Sequence, residues 1–149
     1  MDLMGIPQFK HFFRQAASLD IDKDDLRRFN DFVGDRTYKL LVRAEATAKA
    51  NGRDIIEPQD LPITKGLQEC MHAYREIDQA VELVPILARL TQLPPLDLDY
   101  SEETRERLPQ VSGGLGVALA RCFRLLGDGI KSPQTTHWEK AEQVFELLL

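Results

Sequence analysis

The feature that most constrains this chain is an unbroken helical stripe from Lys23 to Ala50. Leu26, Phe29, Val33, Thr37, Leu40, Leu41, Ala44 and Ala48 recur at helical spacing along it. Asp22 is suited to the N-cap, and Asp24 and Asp25 fit the positive end of the helix dipole. Asn51-Gly52 stops the pattern, with Gly52 fit for a left-handed C-terminal cap. A helix of this length reaches roughly 40 Å, more than the ~30 Å width of a small domain. It must therefore cross other elements instead of lying on one small core.

Shorter helical patterns flank it. Gln8 to Ala17 places Phe9, Phe12, Phe13, Ala16 and Ala17 on one face, with Pro7 suited to the first turn. After the connection Arg53–Pro58, the spacing predicts a helix starting between Pro58 and Asp60 and running through Leu67 and Met71, with Pro62 in its first turns. The order is short, long, short, and it recurs. Ala80 to Thr91 is helical, with Pro85 marking a start or kink, and Leu93-Pro94-Pro95-Leu96 breaks it. A second long helix follows from Ser101, which caps it, to about Leu126, with Pro109 inside. Gly127-Asp128-Gly129 ends that helix, and Thr135 to Leu148 forms the last one, carrying Trp138, Ala141, Val144, Phe145 and Leu148. No segment alternates as a strand would.

Leu19-Asp20-Ile21-Asp22 and Leu96-Asp97-Leu98-Asp99 stand at the same junction of the two series, about half the chain apart. Such a repeat points to two similar halves, 6–74 and 75–149, within one domain spanning 1–149. No Gly/Ser-rich linker divides them, and each half is too small for a good core alone, so they pack together. The reading is all-α, with the two long helices crossing near their midpoints. Gly34, Gly113, Gly114 and Gly116 are expected near that crossing, because a mid-helix glycine costs about 1 kcal/mol unless it admits a neighbour.

Composition narrows the function. With 43% apolar and 29% charged residues the chain is not disordered. It lacks a signal-like N-terminus and an apolar run long enough to span a bilayer. Cys70 and Cys122 stand far apart without a CxxC pattern, which predicts a reducing, cytoplasmic setting. The net charge of −5, with most of the acidic excess beyond Tyr74, opposes bulk attraction to phosphate.

One loop carries a motif. Gly52-Arg53-Asp54-Ile55-Ile56-Glu57-Pro58-Gln59-Asp60-Leu61 lets a planar guanidinium at Arg53 clamp a carboxylate at Asp60. This stretch resembles the archaeal histone pattern Gly-Arg-x-x-Ile-x-x-x-Asp-Ile. In that family the arginine and aspartate form an ion pair that braces the loop, which implies the same roles for Arg53 and Asp60. Two short–long–short halves in one chain resemble the bacterial histone-fold proteins, in which a single chain mimics a histone dimer. The resemblance implies an intramolecular pseudo-dimer, and hence a monomer or weak dimer in solution. The second half has no matching Gly-Arg…Asp motif.

Departures from the archaeal pattern bear on DNA. Where archaeal histones follow Gly-Arg with Lys-Thr, this chain has Asp54 and Ile55, and Asp20 falls where their minor-groove arginine stands. Carboxylates replace cations, which removes attraction to phosphate and adds repulsion. The best basic stripe is Arg36, Lys39 and Arg43 on the first long helix, either a solvated face or a docking surface for an acidic partner or nucleic acid.

Other constellations carry no chemistry. Gly113-Gly114-Leu115-Gly116 lacks the Gly-Lys-Ser/Thr of a phosphate loop and falls within a helix. Cys70 and His72, two apart on a helix, point in nearly opposite directions and have no further ligands nearby, so no metal is expected. His137 with Glu139 and Glu142, and His11 with Lys10 and Arg14, read as solvated helix faces. No nucleophile–base pair or nucleotide loop is present, so no catalytic residue or cofactor is assigned. The sequence therefore predicts a non-enzymatic interaction or scaffold protein with a protein partner. The alternative is a nucleoid-associated protein that binds DNA weakly through a different basic face.

Overall fold

The computed structural model describes residues 6–77, 83–127 and 129–149. Within them lie six α-helices and two two-residue strands: α1 (Ile6–Ala17), α2 (Lys23–Ala50), β1 (Ile55–Ile56), α3 (Lys65–Glu76), α4 (Leu83–Thr91), β2 (Asp99–Tyr100), α5 (Glu102–Leu126) and α6 (Thr135–Leu148). The fold is all-α.

Local chemistry sets the helix ends. Asp22 and Asp25 cap α2 reciprocally: the Asp25 amide donates to Asp22 at 2.9 Å and the Asp22 amide to Asp25 at 3.1 Å. Asn51 ends α2, and Gly52 follows at a φ of 70°. Ser101 Oγ accepts the Thr104 amide and caps α5, which continues through Pro109. The third helix begins later than its spacing predicts. Pro58–Asp60 forms a separate 3-10 turn, and α3 starts after Thr64, whose Oγ accepts the Leu67 amide. Pro62 lies in the connection, where its missing donor and fixed φ cost nothing. The helical pattern expected from Ala80 is seen from Leu83; 80–82 lie outside the described residues, as does Asp128 of the glycine turn. Pro85 stands in the first turn of α4 as described.

The two long helices meet near their middles, where the buried hydroxyls of Thr37 and Ser112 are 3.1 Å apart. Every member of the α2 stripe read from the sequence is buried. An aromatic nest of Phe9, Phe12 and Phe13 from α1 closes around Phe29 of α2, with ring centroids 4.9–6.0 Å apart. On the other side Phe32 of α2 meets Trp138 and Phe145 of α6, and Phe123 of α5 meets Trp138. Edge-to-face rings add about 0.5–1.5 kcal/mol per pair beyond their burial.

The short strands join the segment after α2 to the segment before α5. β1, just after α2, pairs in parallel with β2, just before α5, in the register Ile55–Asp99 and Ile56–Tyr100. The Ile56 carbonyl also accepts the Ser101 amide and the Thr104 hydroxyl, each at 2.9 Å. At the opposite end the loop before α2 meets the loop after α5, where the Asp20 amide donates to the Lys131 carbonyl at 2.7 Å. Each end thus joins the loop preceding one long helix to the loop following the other. Strands this short have no period to display, so the sequence showed none.

Three of the four expected crossing glycines admit something other than the opposite long helix. A Cβ at Gly114 would stand 3.1 Å from the backbone of Met71, and one at Gly113 would enter the Tyr74 ring, so both seat α3 on α5. A Cβ at Gly34 would strike the Arg89 side chain, which lies over α2 and pairs with Asp35 at 2.7 Å. Only Gly116 faces α2, against Phe29, together with Phe12 of α1. Between the two long helices the small hydroxyl residues Thr37 and Ser112 take that role. The glycines thus stand beside the Thr37–Ser112 contact, but spacing along one helix does not say which element approaches each of them.

Candidate interaction surface

Arg53 and Asp60 form a bidentate pair. The guanidinium Nη1 donates to Oδ2 at 2.6 Å and Nη2 to Oδ1 at 2.5 Å, and the Glu57 amide donates to Oδ2 at 2.8 Å. The Asp60 side chain is 1% exposed, against 32% for Arg53. Arg53 beside it holds the Asp60 carboxyl below the usual aspartate range, helped by the Glu57 amide and opposed by burial. The clamp locks the 3-10 turn onto the end of α2 and so positions β1. Its role is to shape the loop.

The basic stripe is not a free face. Arg36 is buried beside α6, where it donates to Glu146 at 2.8 Å and to the Glu142 carbonyl at 3.3 Å, and it lies over the Phe32 ring. Lys39 pairs with the same Glu146 carboxylate at 2.6 Å. Lys39 first and Arg36 second hold the Glu146 carboxyl below its ordinary range. Of the three, Arg43 alone is exposed with no acidic partner among the described residues. The three therefore do not share one free face: Arg36 is buried against α6, while Lys39, 45% exposed and paired with Glu146, and Arg43 stay at the surface. Glu146 had no signal in sequence, since its partners on α2 lie 107 and 110 residues away along the chain.

Carboxylates stand at both joined ends. Asp54 is exposed, Asp97 pairs with Lys49 at 2.8 Å, and exposed Asp20 sits 3.6 Å from Arg14. Asp25 is buried and accepts the Trp138 indole N–H at 3.0 Å, which ties α2 to α6. Asp25→Ala removes the acceptor of the Asp22 amide and of the Trp138 indole, while the Asp22 carboxylate keeps its bond to the amide of residue 25. A loss of about 2 kcal/mol is expected by chemical denaturation, since hydrogen bonds to a charged group contribute roughly 1.5–3 kcal/mol. An unchanged midpoint would contradict that role.

The remaining sequence candidates are dispersed. Cys70 is buried between α3 and α5, while His72 is exposed and 3.9 Å from Glu76. His137 Nδ1 accepts the Gln134 amide at 2.8 Å and helps start α6. Among the described residues no cluster of three or more His, Cys, Asp or Glu side chains could hold a metal ion. None of the helices is long and apolar enough to cross a membrane.

Two grooves went unnoticed in the sequence because each is assembled from separate helices. The larger, of about 780 Å³, lies between α2, α4 and the start of α5. Tyr38, Leu41, Leu87, Leu90, Pro94 and Leu98 line it, and Tyr100, Asp99, Glu102 and Arg105 stand at its edge. The Tyr38 hydroxyl donates to the Pro94 carbonyl at 2.8 Å and holds the proline loop in place. A second groove, of about 410 Å³, lies between α3, α5 and α6.

Crossed long helices, one loop clamped by an ion pair and two apolar grooves define an all-α protein that presents shaped surfaces. The chain belongs to the family described as a domain of unknown function, DUF1931, whose model matches residues 9–146. It is 29% identical over 142 residues to an uncharacterised protein of Aquifex aeolicus, covering 95% of this chain and 82% of that one. A crystal structure from Thermus thermophilus matches with a TM-score of 0.93 at 52% identity, covering 99% of both chains. Another, from Aquifex aeolicus, matches at 0.82 and 25% identity, covering 99% of this chain and 97% of that one.

Proposed function

We propose that the chain is a doubled histone fold, an intramolecular pseudo-dimer, that works as a non-enzymatic protein-interaction or scaffold module. The short–long–short order in both halves, the joined loops at both ends and the Arg53–Asp60 clamp support the pseudo-dimer. The larger groove carries the interaction reading. Its floor is aliphatic, two tyrosines flank it, and its edge holds charges of both signs at Asp99, Glu102 and Arg105. An apolar centre with a mixed polar rim is the anatomy of a protein interface. The occupant that fits is a polypeptide segment with apolar anchors and flanking charges. The Tyr38–Pro94 bond keeps the groove formed before binding, which lowers the ordering cost.

DNA binding is the second reading, and the neutralised stripe weighs against it. With Arg36 and Lys39 paired with Glu146 and carboxylates at the loops, few phosphate contacts remain, so affinity is weak. We expect no micromolar duplex binding by fluorescence anisotropy at ~150 mM salt. Tight binding would put the nucleoid reading first. For the protein partner, capture from native lysate with and without nuclease is compared with a Leu90→Glu variant checked for fold by circular dichroism. A partner that survives nuclease and is lost with Leu90→Glu supports the proposal; one lost with nuclease, or indifferent to Leu90→Glu, refutes it. The pseudo-dimer satisfies its pairing within the chain, so light scattering is expected to report a monomer or weak dimer, and an obligate large oligomer would contradict it.

A further inference from the structure

The smaller groove differs from the larger one in its charge. Ala118 and Cys122 of α5 form its floor; Leu67 and Cys70 of α3 and Val144 and Leu148 of α6 form its walls. Leu125 and Leu148 stand at its mouth, 87% and 73% exposed. Arg121 is the one charged side chain lining it. Its polar contact is the Cys70 sulfur at 3.9 Å, and among the described residues it forms no ion pair with an Asp or Glu side chain. Burial pushes both thiols up, so they add no negative charge beside Arg121, which is exposed. At about 410 Å³ the groove falls in the range of small-molecule sites, roughly 300–1,000 Å³.

We propose that this groove binds an aliphatic carboxylate, with the chain along the Ala118–Cys122 floor and the head group on Arg121. A polypeptide brings charges of both signs and suits the mixed rim of the larger groove. An apolar trough whose one charged side chain is a cation complements a molecule with one anionic end and a long apolar remainder. The guanidinium meets a carboxylate in a bidentate geometry, and each buried methylene adds apolar contact.

The probe is decanoate, titrated calorimetrically into the full chain, with decylamine as the opposite-charge control. Binding of decanoate and not decylamine is expected. Arg121→Gln is expected to weaken it about tenfold, while Arg121→Lys keeps part of the affinity. Gly66→Trp fills the groove from α3, where a Cβ meets nothing within 4 Å, so it blocks decanoate without disturbing the fold. The proposal is overturned by an absence of decanoate binding, by equal binding of decylamine, or by binding that ignores both Arg121→Gln and Gly66→Trp. It is equally overturned if light scattering shows a dimer that Leu148→Glu dissociates, because a second copy then covers this face.

Discussion

Gly114→Leu is expected to destabilise the protein by about 3 kcal/mol, lowering Tm by roughly 10 °C. At this position even a Cβ stands 3.1 Å from the Met71 backbone nitrogen and Cα and closer to its Cγ, so relief requires moving α3. Gly114→Ala tests the same contact with the opposite helix-propensity bias. Alanine gains about 1 kcal/mol over glycine in a helix interior, yet a net loss is expected because backbone yields less than a side-chain end. Gly66→Ala is the control, since its Cβ meets open space and its Tm is expected to hold or rise slightly. Thermal melts by circular dichroism decide the matter. A Gly114→Ala protein as stable as the parent would mean that α3 is not seated on α5 at this point.

Breaking the loop clamp has the next largest expected effect. Asp60→Ala removes the acceptor of both Arg53 bonds and of the Glu57 amide, at a cost of about 2–3 kcal/mol. Arg53→Ala leaves the carboxylate buried without its cation and is also expected to lower Tm. Because the two act as a unit, the double variant falls little further than either single one. The pH dependence follows from the sign of the shift. Arg53 holds the folded-state pKa of Asp60 below its unfolded value, so the pair's contribution is fully present above the ordinary aspartate range. It is lost as pH falls through the lowered folded value. Stability of the parent therefore drops on acidification more than that of Asp60→Ala, and the two melts converge at the acid end. Parallel curves down to the acid end would argue against the clamp.

Much of this architecture was legible in the chain. The bounds of α2 and α6 follow from hydrophobic period and end signals, and Ser101 reads as the cap of α5. Those properties are local: capping and helical period depend on residues three or four places apart, which the sequence displays directly. The Arg53–Asp60 clamp was equally legible, because both partners sit in one short loop. Only tertiary structure decided what lies farther apart. It paired Glu146 with Arg36 and Lys39, neutralising part of a basic stripe, and it delivered Arg89 to Gly34 and α3 to Gly113 and Gly114. It paired Ile55–Ile56 with Asp99–Tyr100, strands too short to carry a period. Both grooves arise where helices from different parts of the chain leave a trough between them. The sequence determined each helix and the faces it would bury, since these follow from the order of neighbouring residues. Which helix covers which face depends on how rigid helices joined by fixed loops fill space, and that is settled only when the whole core packs at once.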